Sequence, residues 1–302
     1  MRIVTALIAV LTAVAAEGVT IAPGDIAIGP DQFCGIAACP PLPPAALFGS
    51  NLALKQTLGA YDLVAFGPNG HLFGVTVFGK IVEHDASLNV VRTIQMFAVS
   101  GLAVAASGEI YVISVTSLIV LSPAGAVERT HSLGAYPMKG AIDLAPDQCT
   151  LLWIDFASHG HRFDVCSGHA LGDLAPGSWT AVRALSDGGY VVGDFGRLAA
   201  FDANDHLLAE SFIGAWYVTS LAFDTDPRFL WIATGSAVTL KYRFADGVIA
   251  GSLRNSAQSV AVYGEQRSAA AAAAVAAPAL SPPLLFALAL GLTALAWQRL
   301  RV

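Results

Sequence analysis

The chain has 302 residues, of which 55% are hydrophobic and 13% are charged, and its formal net charge is −6. Residues 17–267 carry 13 basic side chains against 22 acidic ones, and the basic ones form no stripe or run. Nucleic-acid-binding proteins typically carry a basic patch or stripe, so this composition argues against a nucleic-acid partner. A region of this size is sufficient for one domain with a well-buried core.

The N-terminus has the parts of a secretory signal peptide. A positively charged start is followed by an apolar run at residues 3–14 and by two alanines at the cleavage position. We therefore assign residues 1–16 to a signal peptide and predict an exported protein that begins near Glu17. A retained membrane anchor is the alternative, although the apolar run is short for a bilayer span.

Three strand-like segments come next, at residues 25–29, 45–48 and 54–58, with a polar turn at residues 49–51. Each is short, apolar or alternating, and bounded by residues that favour turns. Three such strands lack the first strand of a four-stranded unit.

From Tyr61 onward a unit of nearly constant length recurs. Its best marker is the apolar residue that ends the first strand-like run of each unit. These residues are Phe66, Val104, Leu144, Leu185, Phe223 and Val262, which are 38, 40, 41, 38 and 39 residues apart. A period near forty residues with four strand-like runs per unit is typical of a β-propeller.

The sixth unit is incomplete, because its strand pattern stops after Tyr263. The three N-terminal strands supply the missing part. We therefore predict an all-β fold, a six-bladed β-propeller at residues 17–264 that is closed by one C-terminal plus three N-terminal strands, which removes an exposed sheet edge. Five or seven blades remain alternatives. A β-sandwich is a further alternative, but it does not require the long period.

The four cysteines predict two disulfides in an exported chain. Cys149 begins a second strand and Cys166 ends the third strand of the same unit, where antiparallel pairing places them opposite each other. Cys34 and Cys39 are close enough in sequence to close a small loop. A zinc site is the alternative, but neither spacing is CxxC.

Residues 147–151 (DQCTL) and 162–166 (RFDVC) resemble one blade of secreted bacterial propeller proteins. The repeat is similar in shape to the NHL-repeat and gluconolactonase-like superfamily. Most relatives in that superfamily carry no assigned activity. Its metal-dependent lactonases hold a metal with several carboxylate and amide ligands from the innermost strands, a glutamate among them.

The C-terminal segment resembles bacterial sorting signals of the PEP-CTERM type. Residues 265–283 form an Ala- and Pro-rich linker, in which residues 277–281 (APALS) keep the Pro, Leu and Ser of the Ile-Pro-Thr-Leu-Ser subtype. Residues 284–302 contain an apolar run and a terminal arginine pair, for which we predict a hydrophobic helix that serves as anchor or sorting tail. The resemblance implies a membrane sorting enzyme as a partner and a periplasmic or cell-surface destination. A membrane tail that is never cleaved is the alternative.

A Gly-small-aromatic step recurs where one predicted blade meets the next. Its aromatic residues are Tyr61, Tyr136, Trp179 and Trp216. The junctions between blades and the loops between second and third strands form one mouth of a propeller channel. The four rings therefore predict a stacking rim for a sugar or an apolar ligand. Packing of each ring over the neighbouring blade is the alternative.

The predicted innermost strands are nearly uncharged. Their charged residues are Asp62, Asp143 and Arg183. Two acids on separate strands make a poor divalent-cation site, and the lactonase glutamate is missing from these strands. Asp155, His159 and His161 are weak candidate metal ligands in a loop, where simple exposure is the alternative.

The sequence therefore predicts a non-catalytic binding module without a cofactor, exported and associated with the cell envelope. Its partner would be a surface ligand or an envelope protein. No nucleophile elbow, HExxH motif or phosphate-binding glycine loop occurs in the sequence. The rival prediction is a lactonase-like hydrolase or lyase that acts on a lactone or sugar-derived substrate and uses the polar groups named above.

Overall fold

The structure, a computed structural model, describes residues 19–30, 43–235, 238–254 and 256–267. Within these ranges the regular structure is β-strand apart from a 3-10 turn at Pro68–Gly70. The prediction of an all-β fold is confirmed. No helix in the described part of the chain is long and apolar enough to cross a membrane.

The strands are numbered along the chain. The first three are β1 (Ile26–Pro30), β2 (Ala46–Phe48) and β3 (Leu54–Thr57). The next eight are β4 (Tyr61–Phe66), β5 (Leu72–Thr76), β6 (Lys80–His84), β7 (Val90–Gln95), β8 (Val99–Val104), β9 (Ile110–Ser114), β10 (Ser117–Leu121) and β11 (Val127–Ser132). They are followed by β12 (Pro137–Leu144), β13 (Thr150–Asp155), β14 (Gly160–Asp164), β15 (His169–Asp173), β16 (Ala181–Ala184), β17 (Tyr190–Gly193) and β18 (Phe195–Phe201). The last five are β19 (Leu207–Phe223), β20 (Phe229–Thr234), β21 (Thr239–Arg243), β22 (Val248–Leu253) and β23 (Ala257–Val262).

Backbone hydrogen bonds arrange these strands in four four-stranded sheets and one seven-stranded sheet. Strands β4–β7, β8–β11 and β12–β15 each form an antiparallel sheet in chain order. Strand β23 joins β1, β2 and β3 in the fourth. Strands β16–β22 form the seven-stranded sheet.

The prediction of six separate four-stranded blades is wrong, because only four such sheets occur in the described residues. The reason is β19, which passes from one repeat to the next without a break. Its first part pairs with β18, as far as Phe212 opposite Arg197, and its last part pairs with β20, from Val218 opposite Thr234. One strand thus serves two repeats and joins their sheets.

The closure by one C-terminal and three N-terminal strands is present as predicted. Strand β23 pairs antiparallel with β1, with Val262 opposite Ile26 and Ala257 opposite Pro30. Strand β2 pairs with the other edge of β1, and β3 pairs with β2. Main-chain hydrogen bonds between the two ends of the chain therefore close the ring.

The hydrophobic core lies between neighbouring sheets. In one cluster, Leu63 and Val75 of the β4–β7 sheet pack against Leu102 and Val112 of the next sheet. Inner strands are buried on both faces, whereas outer strands such as β7 alternate between exposed and half-buried residues. Each fully buried aliphatic or aromatic side chain contributes roughly 1.5–3 kcal/mol to folding.

Cys149 and Cys166 form the predicted disulfide, with their Cα atoms 5.2 Å apart. The predicted Cys34–Cys39 pair lies outside the described residues. The predicted signal peptide, the sorting motif and the predicted C-terminal helix also lie outside them.

Candidate functional site

The ring has two distinct faces, because its innermost strands all run in the same direction. Strands β4, β8, β12, β16, the last part of β19 and β23 lie side by side in this order, and β23 returns to β4. One face, at the start of these strands, is formed by the connections between repeats and by the turns between second and third strands. The other face carries the remaining turns.

Every exposed aromatic side chain in the described ranges lies at the first of these faces. These residues are Phe78, Phe97, Tyr136, Phe156, Phe195, Phe212 and Tyr217. Phe78 is 83% exposed and Phe156 is 79% exposed, values that are unusual for a phenyl ring. We call the surface formed by Phe78, Phe97, Tyr136, Phe156, Phe195 and Phe212 the aromatic face.

Backbone contacts hold neighbouring loops of the aromatic face in place. The Phe156 N–H donates to the Tyr136 carbonyl oxygen at 2.7 Å. The Ser114 hydroxyl donates to the Phe97 carbonyl oxygen at 2.5 Å. The backbone at Phe97, Tyr136 and Phe156 is therefore held in place, and a partner that covers these three rings would lose little affinity to backbone ordering there.

Two of the four predicted rim rings are core residues instead. Tyr61 is 6% exposed and Trp179 is 1% exposed. The Tyr61 hydroxyl lies 2.9 Å from His84 Nε2, and the Trp179 indole N–H donates to the Ala175 carbonyl at 2.8 Å. A Cβ at Gly177 would lie 2.3 Å from the Trp179 ring, so the glycine of the motif allows that ring to fold back on the chain. At these junctions the motif serves packing.

The other two predicted rim residues differ from each other. Tyr136 is 64% exposed and belongs to the aromatic face. Trp216 is half-buried and packs against the hydrophobic cluster of the seven-stranded sheet. The structure therefore does not bring the four predicted rings together in one exposed rim.

The centre of the ring contains a cavity of about 80 Å³. Much of its wall is apolar, with Leu63, Leu102, Ile142 and Val260 among the lining residues. A cavity of this size, with polar groups at its end, has room for ordered water.

Four charged side chains close the channel at the face opposite the aromatic one. Two of them, Asp143 and Arg183, are channel groups that the sequence predicts. Asp143 Oδ1 pairs with Arg183 Nη1 at 3.0 Å. Arg183 also pairs with Glu265. Arg267 binds both carboxylates, at 3.1 Å to Asp143 and 2.6 Å to Glu265. We call these four residues the channel network; its two acids and two bases compensate each other.

Main-chain groups complete the hydrogen bonds of the channel network. The Ala184 N–H donates to Asp143 Oδ2 at 2.8 Å, and Arg267 donates to the Leu144 carbonyl oxygen at 2.6 Å. Asp143 is only 2% exposed, so these contacts offset the loss of its hydration.

The channel network keeps Glu265 and Arg267 ionised. Burial alone would raise the pKa of Glu265, but the guanidinium groups of Arg183 and Arg267 hold that pKa below its usual value. Burial alone would likewise lower the pKa of Arg267, but Asp143 and Glu265 raise it above its usual value. A group held in one charge state is poorly suited to proton transfer near neutral pH.

Asp62, the third predicted channel group, lies at the opposite end of the channel, within the aromatic face. It is the second residue of β4, whereas Asp143 is next to last in β12, and the two strands run in the same direction. Asp62 is 3% exposed and pairs with Lys139. The two carboxylates therefore lie at opposite mouths and do not form a shared metal site.

Asp155, His159 and His161 come together in the structure. Asp155 Oδ2 lies 3.2 Å from His161 Nε2 and 3.5 Å from His159 Nδ1. His161 Nδ1 also lies 2.8 Å from Asp173, and the ring stacks on Trp153. Both nitrogens of His161 are thus occupied by carboxylates, which does not favour metal binding. Burial alone would raise the pKa of Asp155, but the His159 N–H and His161 hold it below its usual value.

The face opposite the aromatic one is rich in aspartate, and turn chemistry explains it. Asp85 accepts hydrogen bonds from the N–H groups of Ser87 and Asn89, at 2.8 and 2.9 Å. Equivalent carboxylate-to-backbone bonds occur at Asp147, Asp164, Asp187, Asp202, Asp224 and Asp246. These aspartates stabilise the turns between strands. We call this surface the acidic face.

In the described ranges, one group of potential metal ligands has its ligand atoms within 4.8 Å of one another. It consists of Cys149, Asp164 and Cys166. Both sulfurs belong to the disulfide, so neither is a thiolate ligand.

Three charged residues of the channel are absent from the sequence-based prediction. Glu265 and Arg267 follow β23 directly, in a segment assigned to the linker, and Lys139 belongs to the irregular part of β12. The available signal was the Glu-Gln-Arg sequence just after the last innermost strand. That position lets opposite charges reach Asp143 and Arg183.

No protein-family model matches the chain, and no curated protein sequence is significantly similar to it. Among solved structures, the chain is similar to the β-propeller domain of Myceliophteria thermophila Cps50 (Swd1), with a TM-score of 0.52 and 16% sequence identity. The match covers 61% of this chain and 65% of that one, so this chain spans less than two thirds of its length. At this identity the likeness shows the fold alone, and the fold is a β-propeller.

Proposed function

We propose that this β-propeller is a non-catalytic binding module that receives a partner macromolecule on the aromatic face. The observation that carries the proposal is the distribution of exposed rings. Those in the described ranges all lie on one face of the ring, although the repeats place loops on both. Aromatic side chains dominate the binding energy of many protein interfaces.

The hydrophobic effect gives these rings a role in binding. A buried aromatic side chain covers roughly 150–250 Å². Exposed apolar surface of that kind, gathered on one face and set among polar groups, is typical of an interaction site. Scattered single apolar residues, such as Val127 on an outer strand, need no such explanation.

The channel supports binding better than catalysis. Asp143, Arg183, Glu265 and Arg267 are paired with one another, and Asp62 is paired with Lys139. The cavity between these groups is about 80 Å³. A lactonase-like activity would need a free acid or base within reach of the substrate.

We further propose that the chain is exported and held at the membrane through its C-terminal tail until a sorting enzyme cleaves that tail, as the signal-like and sorting-like segments indicate. The orientation follows from where the described chain ends. The Ile21 N–H donates to the Ala86 carbonyl oxygen, and the Ser186 N–H donates to the Arg267 carbonyl oxygen. Ala86 and Ser186 both lie in turns of the acidic face. A tether on that side directs the aromatic face away from the membrane.

Site-specific photocrosslinking in the native host tests the binding proposal. A benzophenone amino acid placed at Phe78 or Phe156 should give one discrete adduct, and the same probe at Val127 should not. The same adduct from Val127 as from Phe78 and Phe156 would refute a specific aromatic face.

Paired surface variants supply the matched control. Phe156→Ser with Phe195→Ser should abolish an adduct formed from Phe78. Val90→Ser with Val127→Ser removes exposed apolar side chains from outer strands and should leave that adduct intact. Size-exclusion chromatography over a concentration series would show whether the adduct is a second copy of this chain.

The export proposal has a separate test. Mass spectrometry of the protein isolated from its host should show a mature N-terminus near Glu17 and a C-terminus before residue 284. Recovery of a chain that still ends in Val302 would eliminate sorting by cleavage.

A further inference from the structure

Asp62 is a buried carboxylate with an incomplete set of partners. It is 3% exposed, and its Oδ2 pairs with the ammonium group of Lys139. Its Oδ1 is buried and has no hydrogen-bond partner within the described ranges. A buried carboxylate oxygen without a donor is costly, so this position has unused capacity to bind a donor or a cation.

Lys139 reaches Asp62 from across the channel mouth. It lies in the irregular part of β12, between Pro137 and Ile142, where the register with β13 shifts. The next residue, Gly140, has φ +82°, a backbone conformation that other residues rarely adopt. The Gln258 side-chain amide donates to the Lys139 carbonyl oxygen at 3.0 Å and fixes this backbone.

The lysine side chain itself is only partly held. Its side chain is 44% exposed, whereas that of Asp62 is 4% exposed. An ammonium group on a four-carbon stem is mobile, and Asp62 is its only ion-pair partner among the described residues. Lys139 can therefore leave the mouth without unfolding the strand, and Asp62 then needs another cation.

The mouth of the channel also offers apolar contact beside this carboxylate. Met138 precedes Lys139, and its sulfur lies 3.6 Å from the Tyr217 hydroxyl. Tyr136 lies two residues before Met138 and is 64% exposed. A cation that replaces Lys139 would have aromatic and thioether groups around its stem.

We infer that Asp62 is the anchor for a cationic side chain of the partner, a lysine or arginine carried on an apolar segment, and that Lys139 occupies this anchor when the partner is absent. The inference rests on the proposed function, because the anchor lies within the aromatic face. The bound cation would pair with Asp62 while the rings of the aromatic face cover the apolar residues beside it. Lys139 then acts as an internal competitor, and its occupancy lowers the apparent affinity for the partner.

Small organic cations test this anchor on the full chain without knowledge of the partner. Phenethylammonium is the charged probe and 2-phenylethanol is its neutral counterpart, and calorimetry or NMR titration measures both. Lys139→Met removes the competitor, and if Lys139 occupies the anchor about 90% of the time, the variant should bind phenethylammonium about tenfold more tightly than the wild type. Its affinity for 2-phenylethanol should not change.

Matched variants separate the anchor from general effects of charge. Lys139→Arg keeps a cation at the mouth and should bind the ammonium as weakly as the wild type. Asp62→Asn in the Lys139→Met background should remove the preference for the charged probe. Asp173→Asn, which removes an exposed carboxylate at the same end of the ring, should leave binding unchanged.

A second variant guards against misfolding. Lys139→Gln keeps a hydrogen-bond donor for Asp62 and removes the charge, so it should fold and also bind phenethylammonium more tightly than the wild type. Thermal melting should show that the ammonium stabilises both neutral variants more than the alcohol does. The inference is overturned if neither variant gains affinity, or if the neutral probe gains as much as the charged one.

The outcome is distinguishable from failure of the proposed function. If the photocrosslinks from the aromatic face persist while the ammonium shows no preference for Lys139→Met, the anchor is wrong and the binding module stands. If the ammonium binds as expected and the crosslinks are absent, the anchor exists but no macromolecule docks around it.

Discussion

Arg267 crosses the end of the channel and binds Asp143 with both of its terminal nitrogens, each at 3.1 Å from a carboxylate oxygen. The two residues are 124 positions apart in the sequence. Asp143 lies on β12, on the side of the ring opposite the strand that leads to Arg267. A single ion pair thus connects opposite parts of the propeller.

Loss of this ion pair should destabilise the fold. Arg267→Ala leaves the buried Asp143 and the largely buried Glu265 with one cation between them, so we expect the free energy of unfolding to fall by about 3 kcal/mol. Urea denaturation followed by tryptophan fluorescence measures it. Arg228→Ala breaks the exposed pair with Asp226 and should change the stability little. Equal losses in the two variants would show that the channel network has no special role.

The channel network also predicts stability that depends on acid pH. Burial alone would raise the pKa of Glu265, but Arg183 and Arg267 hold it below the ordinary value of 4.5. The unfolded chain therefore binds more protons than the folded one near and below that value. The contribution of Glu265 to stability is fully present above its ordinary pKa. That contribution is lost as the pH falls through the lower pKa of Glu265 in the folded state.

Glu265→Gln tests the pH dependence. The variant should be less stable than the wild type at neutral pH. It should lose less stability between about pH 5 and about pH 3, because glutamine has no carboxylate that takes up a proton on unfolding. Glu128→Gln, on an exposed position of β11, should follow the wild-type curve. Parallel curves for Glu265→Gln and the wild type would contradict the assignment.

Substitutions at Trp179 and Phe156 should distinguish a residue that stabilises the fold from one that binds the partner. Trp179→Ala removes a fully buried ring and should lower the free energy of unfolding by about 3–5 kcal/mol. Phe156 is 79% exposed, so Phe156→Ala should leave stability nearly unchanged and weaken the crosslinking from the aromatic face. Chemical denaturation and crosslinking yield measure the two effects. The reverse pattern would restore Trp179 as a rim residue.

The Cys149–Cys166 disulfide should contribute to stability through the unfolded state. The two cysteines are 17 residues apart, so their bond limits a loop whose closure is worth about 3 kcal/mol. The double variant Cys149→Ser with Cys166→Ser should lose about that amount in urea denaturation. Adding a reductant should bring the wild type to the same stability, and a wild type that does not respond would argue against the bond.

The period of the fold could be read from the sequence, but the number of separate sheets could not. The markers from Phe66 to Val262 recur because every repeat buries the same strand against its neighbours. At β19 the junction residues resemble those of other junctions. Continuity there depends on simultaneous hydrogen bonding to β18 and β20, which no local pattern records.

The site was only partly predictable for a related reason. Asp143 and Arg183 were accessible to prediction, because they lie in strands that the repeat identifies. Arg183 and Glu265 are 82 residues apart, so their pairing required the ring to be built first. Tyr61 and Tyr136 share the same local motif, yet one is buried and the other exposed, since tertiary packing decides between them.

The closing sheet sets the time at which this protein can finish folding. Strands β1, β2 and β3 are synthesised early. The innermost strand of their sheet is β23, which lies near the end of the described chain. Until Val262 has been made, β1 presents an unpaired edge and the ring stays open. The closed propeller therefore forms only after nearly all of the described chain has been synthesised.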